Sequence, residues 1–359
     1  MSRLTYFLTD FKYYSVIGAA ALVAGFLILL LKRSRLILLL LAISYSLLAV
    51  FILGEFYYRY VFDATDNVYN IKTTRRWIDR HVVWNSSGYR DDHFWTDKDQ
   101  RETRIAFLGD SYTFGYGIKN MQDRYTELLG QKLRAACTEG KTLKTYNFGL
   151  PGNQSATYVK QLSAEVMRYQ PDAIVMEYYL DDIDGDRPPE LSRRPIEETI
   201  YAYKRQLILS FLLQRSYFLE YWYIRLASRL SPQHNWGELI NYNETLYRDP
   251  QVWQRHLGSL QSIIASTRGT IKIPLVVFIL PLSHRLGPDY PLTDIHQKLV
   301  DYFTSLDVPV VDMLPVLNQY RPEQIMVSRR DFHLNELGHQ LIADNLYSLV
   351  KDMPAFQCQ

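Results

Sequence analysis

Two uncharged apolar runs occupy most of the first 54 residues of this 359-residue chain, and they constrain it more than anything that follows. Tyr13 to Leu31 and Leu36 to Gly54 are each 19 residues long without an Asp, Glu, Lys or Arg. At about 1.5 Å per helical residue, each reaches roughly 28 Å, close to the thickness of a hydrocarbon core. Lys32, Arg33 and Arg35 lie between them, in a stretch too short for anything but a tight turn. The pattern predicts a two-helix transmembrane hairpin over residues 1–54, with its basic turn in the cytoplasm and the rest of the chain on the opposite, extracytoplasmic side. Tyr13, Tyr14, Phe56, Tyr57, Tyr58 and Tyr60 fall where an interfacial aromatic belt belongs. A cleaved signal peptide would have a shorter apolar core closed by a small-residue cleavage site, and none follows here.

The remainder is about as large as one hydrophobic core can be. Over the whole chain the charges nearly cancel, with 40 Lys+Arg against 38 Asp+Glu, so no nucleic-acid surface is expected. Two cysteines, Cys137 and Cys358, exclude a disulfide framework or a Cys-rich zinc site and leave one bridge between them open.

Residues 55–102 are mixed and polar and read as a juxtamembrane segment packing on the domain that follows, 103–359. Short apolar runs then alternate with helical ones. Strands are expected at Arg104–Leu108, Lys144–Phe148, Asp172–Leu180, Ile271–Leu280 and Val308–Asp312, with helices over Thr126–Cys137 and Ala156–Tyr169. Strands apolar on both faces and separated by helices predict a parallel sheet covered on both sides. Ligands of such sheets collect at the carboxyl ends of the strands. Residues 187–265 are too long for an ordinary connection. They carry aromatic and aliphatic side chains at helical spacing, and read as a helical insertion: an extra layer of the core, a cap over the site, or a surface against lipid.

Four segments that could carry chemistry end strands or open a helix. The first strand delivers Gly109-Asp110-Ser111, a serine in the turn after a buried strand. The second ends in Gly149-Leu150-Pro151-Gly152-Asn153, whose glycines suit close backbone approach to a ligand. The third ends in Asp181, Asp182, Asp184 and Asp186. Without the spacing of a calcium loop these four read as a solvated loop, and no metal is expected. Asp331 stands two residues before His333, so it can orient the ring through one nitrogen and leave the other to take a proton from a serine. His339 reads as structural, and His284, just after the fourth strand, is the one other histidine expected near the site.

Taken together, these segments resemble the consensus blocks of the SGNH (GDSL-like) hydrolases, in order, across residues 104–350. The resemblance implies a flavodoxin-like three-layer α/β/α sandwich and acyl-ester chemistry without a cofactor. It assigns Ser111 as nucleophile, His333 as base and Asp331 as its partner, with the Ser111 and Gly152 N–H groups as oxyanion donors. The stretch Asn85 to Arg90 is similar to one found in membrane-anchored members. One block departs: where the family has Asn-Asp, the asparagine amide being a third oxyanion donor, this chain has Asp181-Asp182. Either Asp181 is kept protonated, or Asn153 supplies the amide, or catalysis is weak or absent. The expected activity is a membrane-tethered, extracytoplasmic esterase acting on O-acyl, chiefly O-acetyl, esters of cell-surface or lipid-linked glycan. An O-acyltransferase using the same acyl-enzyme and an inactive glycan-binding or assembly protein are the alternatives. The partners are the acylated glycan, the lipid bilayer and, where acyl groups are delivered from elsewhere, a second membrane protein of glycan modification.

Overall fold

The computed structural model describes residues 18, 20, 21, 23, 25, 35–66, 71–188, 207–230, 236–269 and 272–358. The chain forms two compact units. One comprises residues 1–62 with 211–222, the other residues 63–210 with 223–359.

In the first unit, helix α1 (Arg35–Phe56) runs on through Val61 as an apolar span of 27 residues, within which an 18-residue window has a mean hydropathy of 2.9 and no buried residue. Among the described residues it is the one helix, not two, long and apolar enough to cross a bilayer. The basic turn up to Ser34, and most of the Tyr13–Leu31 run, lie outside the described residues.

The second unit is built on five parallel strands: β1 (Glu102–Leu108), β2 (Thr142–Asn147), β3 (Ala173–Tyr179), β4 (Leu275–Leu280) and β5 (Val310–Asp312), in the order β2-β1-β3-β4-β5. Strands β1 and β4 are buried along their whole length, and β3 up to its last residue, which requires cover on both faces. Helix α2 (Lys72–His81) precedes the sheet, and a single turn, α3 (Ser111–Phe114), follows β1. Then come α4 (Tyr125–Arg134) and α5 (Ser155–Ala164); α6 (Leu207–Arg215) and α7 (Tyr217–Leu230), whose residues 211–222 belong to the first unit; and α8 (Trp236–Arg248), α9 (Pro250–Arg268), α10 (Thr293–Ser305) and the C-terminal α11 (Glu336–Val350). Helix α4 packs against α11, and α5 against α9. The buried positions of α11, Gly338, His339, Ile342, Ala343, Leu346 and Val350, recur at the three- and four-residue spacing of one helical face.

Three departures from the sequence reading go beyond a shift of a few residues at an element's end. The helix expected over 156–169 stops at Ala164 and resumes as a 3-10 turn, Val166–Tyr169. Asp331 and His333 lie not at a helix entry but on a short strand, β7 (Asp331–Leu334), paired antiparallel with β6 (Met326–Ser328). The last part of the supposed insertion is α9, which buries Val252, Leu260, Ile263 and Ile264 and leads into β4. It is the ordinary crossover between parallel strands. Asp249 starts it by accepting from Gln251 N (2.8 Å) and Val252 N (3.1 Å), with Pro250 at the first helical position. Of the remaining insertion, residues 189–206 and 231–235 lie outside the described residues.

Cys137 and Cys358, 221 residues apart, are joined in a disulfide with Cα atoms 5.3 Å apart, the usual separation for a bridge.

Candidate active site

All five sheet strands run in parallel, so the loops after β1, β2 and β3 emerge at the same edge. The order β2-β1-β3 puts Ser111 in the middle, flanked by the Gly152 loop and the Asp181 loop. The chain reverses its direction of sheet growth at this point, the place where open α/β sheets bind ligands.

The turn that carries Ser111 is held from below by a buried carboxyl. Glu177 on β3 accepts at Oε2 from Thr113 N (2.9 Å), Asp110 N (3.3 Å) and the Thr113 hydroxyl. Gly109 makes this approach feasible: a Cβ there would lie 2.5 Å from Glu177 Oε2 and 2.0 Å from Thr113 Oγ1. Asp110 caps α3 by accepting from Tyr112 N at 2.7 Å. Burial raises both carboxyls above their ordinary range, and for Glu177 the neighbouring Asp110 adds to the effect. Such a pair holds a proton between its members instead of two negative charges.

Above that turn, Asp331 and His333 share a face of β7, because alternate residues of a strand do. His333 Nε2 lies 2.8 Å from Ser111 Oγ, and His333 Nδ1 lies 2.5 Å from Asp331 Oδ1. All three side chains are buried, Ser111 with 3 %, His333 with 5 % and Asp331 with 0 % of its surface exposed. Asp331 Oδ1 also accepts from His333 N at 3.1 Å. The rings of Tyr112 and Tyr116 pack on the imidazole with centroids 4.9 and 4.7 Å away. The carbonyl of Phe332 accepts from Ser283 Oγ and, at 3.4 Å, from Tyr112 Oη. His284 stacks on the Phe332 ring at 4.4 Å, and burial pushes it down to about 4. It is therefore a neutral neighbour of the site. His339 is neutral as well, pushed down to about 3 by burial and then by Arg124. It accepts the first N–H of α4, from Tyr125, at 3.1 Å.

The remaining site candidates divide. Gly152 has a left-handed φ of +83° with open space where a Cβ would sit. Its N–H, like that of Ser111 at the start of α3, meets no acceptor among the described residues, so both are available to a ligand. Asn153 turns away: its Nδ2 donates to Gln161 Oε1 at 3.1 Å. The Asp181 carbonyl accepts from Gln154 Nε2 at 3.4 Å, tying the second and third loops together. The rest of the acidic run is absorbed locally. Asp182 is buried, accepts from Tyr179 N (3.3 Å) and Tyr158 Oη (3.4 Å), and burial raises it well above the ordinary range. Asp184 accepts from Tyr242 Oη, and Asp186 meets His256 Nδ1 (2.7 Å) and Ser259 Oγ (2.6 Å). Among the described residues no group of three or more His, Cys, Asp or Glu is placed to hold a metal.

Sequence reading missed several supports. Arg90 is fully buried and donates from Nη1 to Gly115 O and from Nη2 to Ile118 O, each at 2.6 Å, clamping the loop after α3. Asn85 shapes the strap that carries it, accepting from Ser87 N (2.9 Å) and Tyr89 N (3.0 Å). Thr65 donates to Asp331 Oδ2. The Asn85–Arg90 stretch was marked only by its resemblance, and the one signal at Glu177 is a single charge in an otherwise uncharged strand.

No curated protein matches the sequence. Solved structures similar to it include a lipase/acylhydrolase from Enterococcus faecalis (16% identity, covering 69% of this chain and 95% of that one, TM-score 0.40). Others are an acetylxylan esterase from Geobacillus stearothermophilus, in a catalytic mutant form (14%, 68% and 93%, 0.41), and a member of the lipolytic G-D-S-L family from Veillonella parvula (15%, 70% and 100%, 0.38). The model of the GDSL-like lipase/acylhydrolase family matches residues 107–341, from the middle of β1 into α11. That match includes Ser111, Asp331 and His333, and the chain accordingly belongs to the GDSL-like lipase/acylhydrolase family and is a serine ester hydrolase.

Proposed function

We propose that the protein is a membrane-tethered, extracytoplasmic esterase that removes O-acyl groups, O-acetyl foremost, from cell-surface or lipid-linked glycan. The observation that carries the chemistry is the hydrogen-bonded series Asp331–His333–Ser111 at the rim of the sheet. In this reading His333 Nε2 takes the Ser111 proton as Oγ bonds to the ester carbonyl, and Asp331 holds the imidazolium. The N–H groups of Ser111 and Gly152 receive the oxyanion. Collapse breaks the bond to the leaving oxygen, which receives from His333 the proton that came from Ser111. Water then frees the acyl group by the same steps in reverse order. Attack by a sugar hydroxyl in place of water would make the same site an O-acyltransferase.

The span at Arg35–Val61 supports the tether. Tyr45 Oη donates to Ala21 O at 2.9 Å, a contact between α1 and one described residue of the first apolar run. The Cys137–Cys358 bridge supports an oxidising compartment, since disulfides persist outside the cytoplasm. A tether on that face favours substrates fixed near the membrane over free small esters. Non-reducing electrophoresis of the protein from native membranes tests the placement. Free thiols at both positions would argue for the cytoplasmic side.

Fluorophosphonate labelling of the full chain tests the chemistry. Wild type should label, Ser111→Ala should not, and esterase turnover should fall on the order of 10⁴-fold or more. A folded wild type that stays unlabelled would favour the glycan-binding reading, for which the specific support is Asp181 in place of an amide. Asp181→Asn separates full from impaired catalysis. A gain of about 10²-fold would mean the carboxylate withholds an oxyanion donor.

A further inference from the structure

We infer that Thr65, in the segment that follows the apolar N-terminal helix, is a positioning residue of the active site that fixes the Asp331 carboxylate through its hydroxyl. The inference rests on the reading of Asp331 as the partner of His333. Asp331 has two oxygens with separate tasks. Oδ1 faces His333, accepting from its Nδ1 and backbone N–H. Oδ2 faces the other way and accepts from Thr65 Oγ1. A carboxylate bonded at one oxygen alone can swing about its Cβ–Cγ bond. A donor on the second oxygen fixes the plane in which the first meets the imidazole, and a hydroxyl donating to a charged group is among the stronger hydrogen bonds.

Thr65 is itself held. Thr65 and Asp66 are 2 % and 3 % exposed, although no helix or strand contains them. Asp66 O accepts from Tyr116 Oη at 3.3 Å, and the Tyr116 ring packs on His333. The Asp66 carboxylate pairs with the Arg225 guanidinium, Nη1 to Oδ1 at 3.3 Å. Gly117 leaves the room: with φ +88°, a Cβ there would come within 3.1 Å of Thr65 Oγ1 and 2.4 Å of Val327 Cγ2. Two adjacent residues thus reach the acid directly and the histidine through Tyr116. The family match begins at residue 107, so Thr65 is a contribution this chain makes from outside the matched region.

The test compares full-length wild type with Thr65→Val and Thr65→Ser, using p-nitrophenyl acetate turnover, the rate of fluorophosphonate labelling and the melting temperature. Valine keeps the shape and removes the donor; serine keeps the donor. Thr65→Val should lower kcat and the labelling rate together by on the order of ten-fold, with KM changed less than two-fold. Thr65→Ser should recover to within about three-fold of wild type. The proposal is overturned if Thr65→Val labels and turns over like wild type, if Thr65→Ser is as impaired as Thr65→Val, or if the loss only tracks a fallen melting temperature. Should wild type itself fail to label, the esterase reading has failed and not this one.

Discussion

Two buried glutamates, one in each unit, do the same geometric job in opposite electrostatic company. Glu55, near the end of the apolar span, accepts from Ser216 Oγ (2.6 Å), Tyr217 N (3.1 Å) and Phe218 N (3.0 Å), and so caps α7. Glu177 accepts from Asp110 N, Thr113 N and the Thr113 hydroxyl, and so braces α3. Glu55 has a cation for company, Arg59 Nη2 at 2.6 Å. Glu177 has another carboxyl, Asp110, and burial keeps it protonated well beyond the ordinary range. The difference suits the two tasks. A cap near the end of a long apolar helix gains from a charge balanced by its neighbour. Under the proposed mechanism a brace beneath Ser111 does better neutral, because a fixed negative charge there would oppose an oxyanion forming beside it.

The sharpest way to break this comparison is at Glu177. Thr113 N and Asp110 N would lose the Glu177 acceptor in Glu177→Leu, and the Thr113 hydroxyl would keep Tyr125 Oη (2.8 Å). At about 1–3 kcal/mol for each stranded group, the sheet unit should lose about 3–5 kcal/mol. Glu177→Gln, a neutral near-copy of the protonated acid, should cost less than about 1 kcal/mol and keep most activity. Thermal melts and ester turnover of the two variants decide it. A glutamine variant as damaged as the leucine one would mean that Glu177 carries a charge.

The same swap at Glu55 should be the worse of the two glutamine changes. It removes the anion that Arg59 faces, while the Arg59 side chain is only 16 % exposed. Hydrogen-exchange protection of the Tyr217 and Phe218 amides in Glu55→Gln should fall by on the order of ten-fold. Unchanged protection would show that the cap does not depend on charge, and the contrast between the two glutamates would disappear.

These contrasts also show what a sequence discloses. The strands were legible because uncharged runs end at glycine or at turn residues, and Ser111 and His333 were legible because each follows a recognisable local pattern. The β6–β7 hairpin was not, because Arg329 and Arg330 interrupt runs of three and four residues that have no clear alternation. The start of α9 was marked by Asp249-Pro250, yet helical spacing on both sides hid it inside the insertion. Glu177 stood out as a charge in an apolar strand, but its partners come from a turn more than sixty residues earlier. Thr65 offered no signal, since one threonine in a short connecting segment satisfies no periodicity and only the fold brings it to Asp331.

The smallest effect expected is one of slope. Asp91, buried beside Arg124, accepts from Asn147 N at 2.6 Å, and burial, then Glu127, pushes its carboxyl up to about 7. A carboxyl raised in the folded state binds more protons there than in the unfolded chain. Its contribution is therefore present below about pH 4 and is lost as pH rises toward 7. Glu177 and Asp182, also raised, act with the same sign. The melting temperature of the sheet unit should decline between about pH 4 and 7, against the usual rise of proteins whose carboxylates are salt-bridged. Asp91→Asn should flatten that decline in part and leave the Glu177 share, so the double variant with Glu177→Gln should be flatter still. A melting temperature that climbs across this window in wild type would mean that these carboxyls are ionised in the fold. The neutral brace beneath Ser111 would then have to be abandoned in favour of a charged one like Glu55.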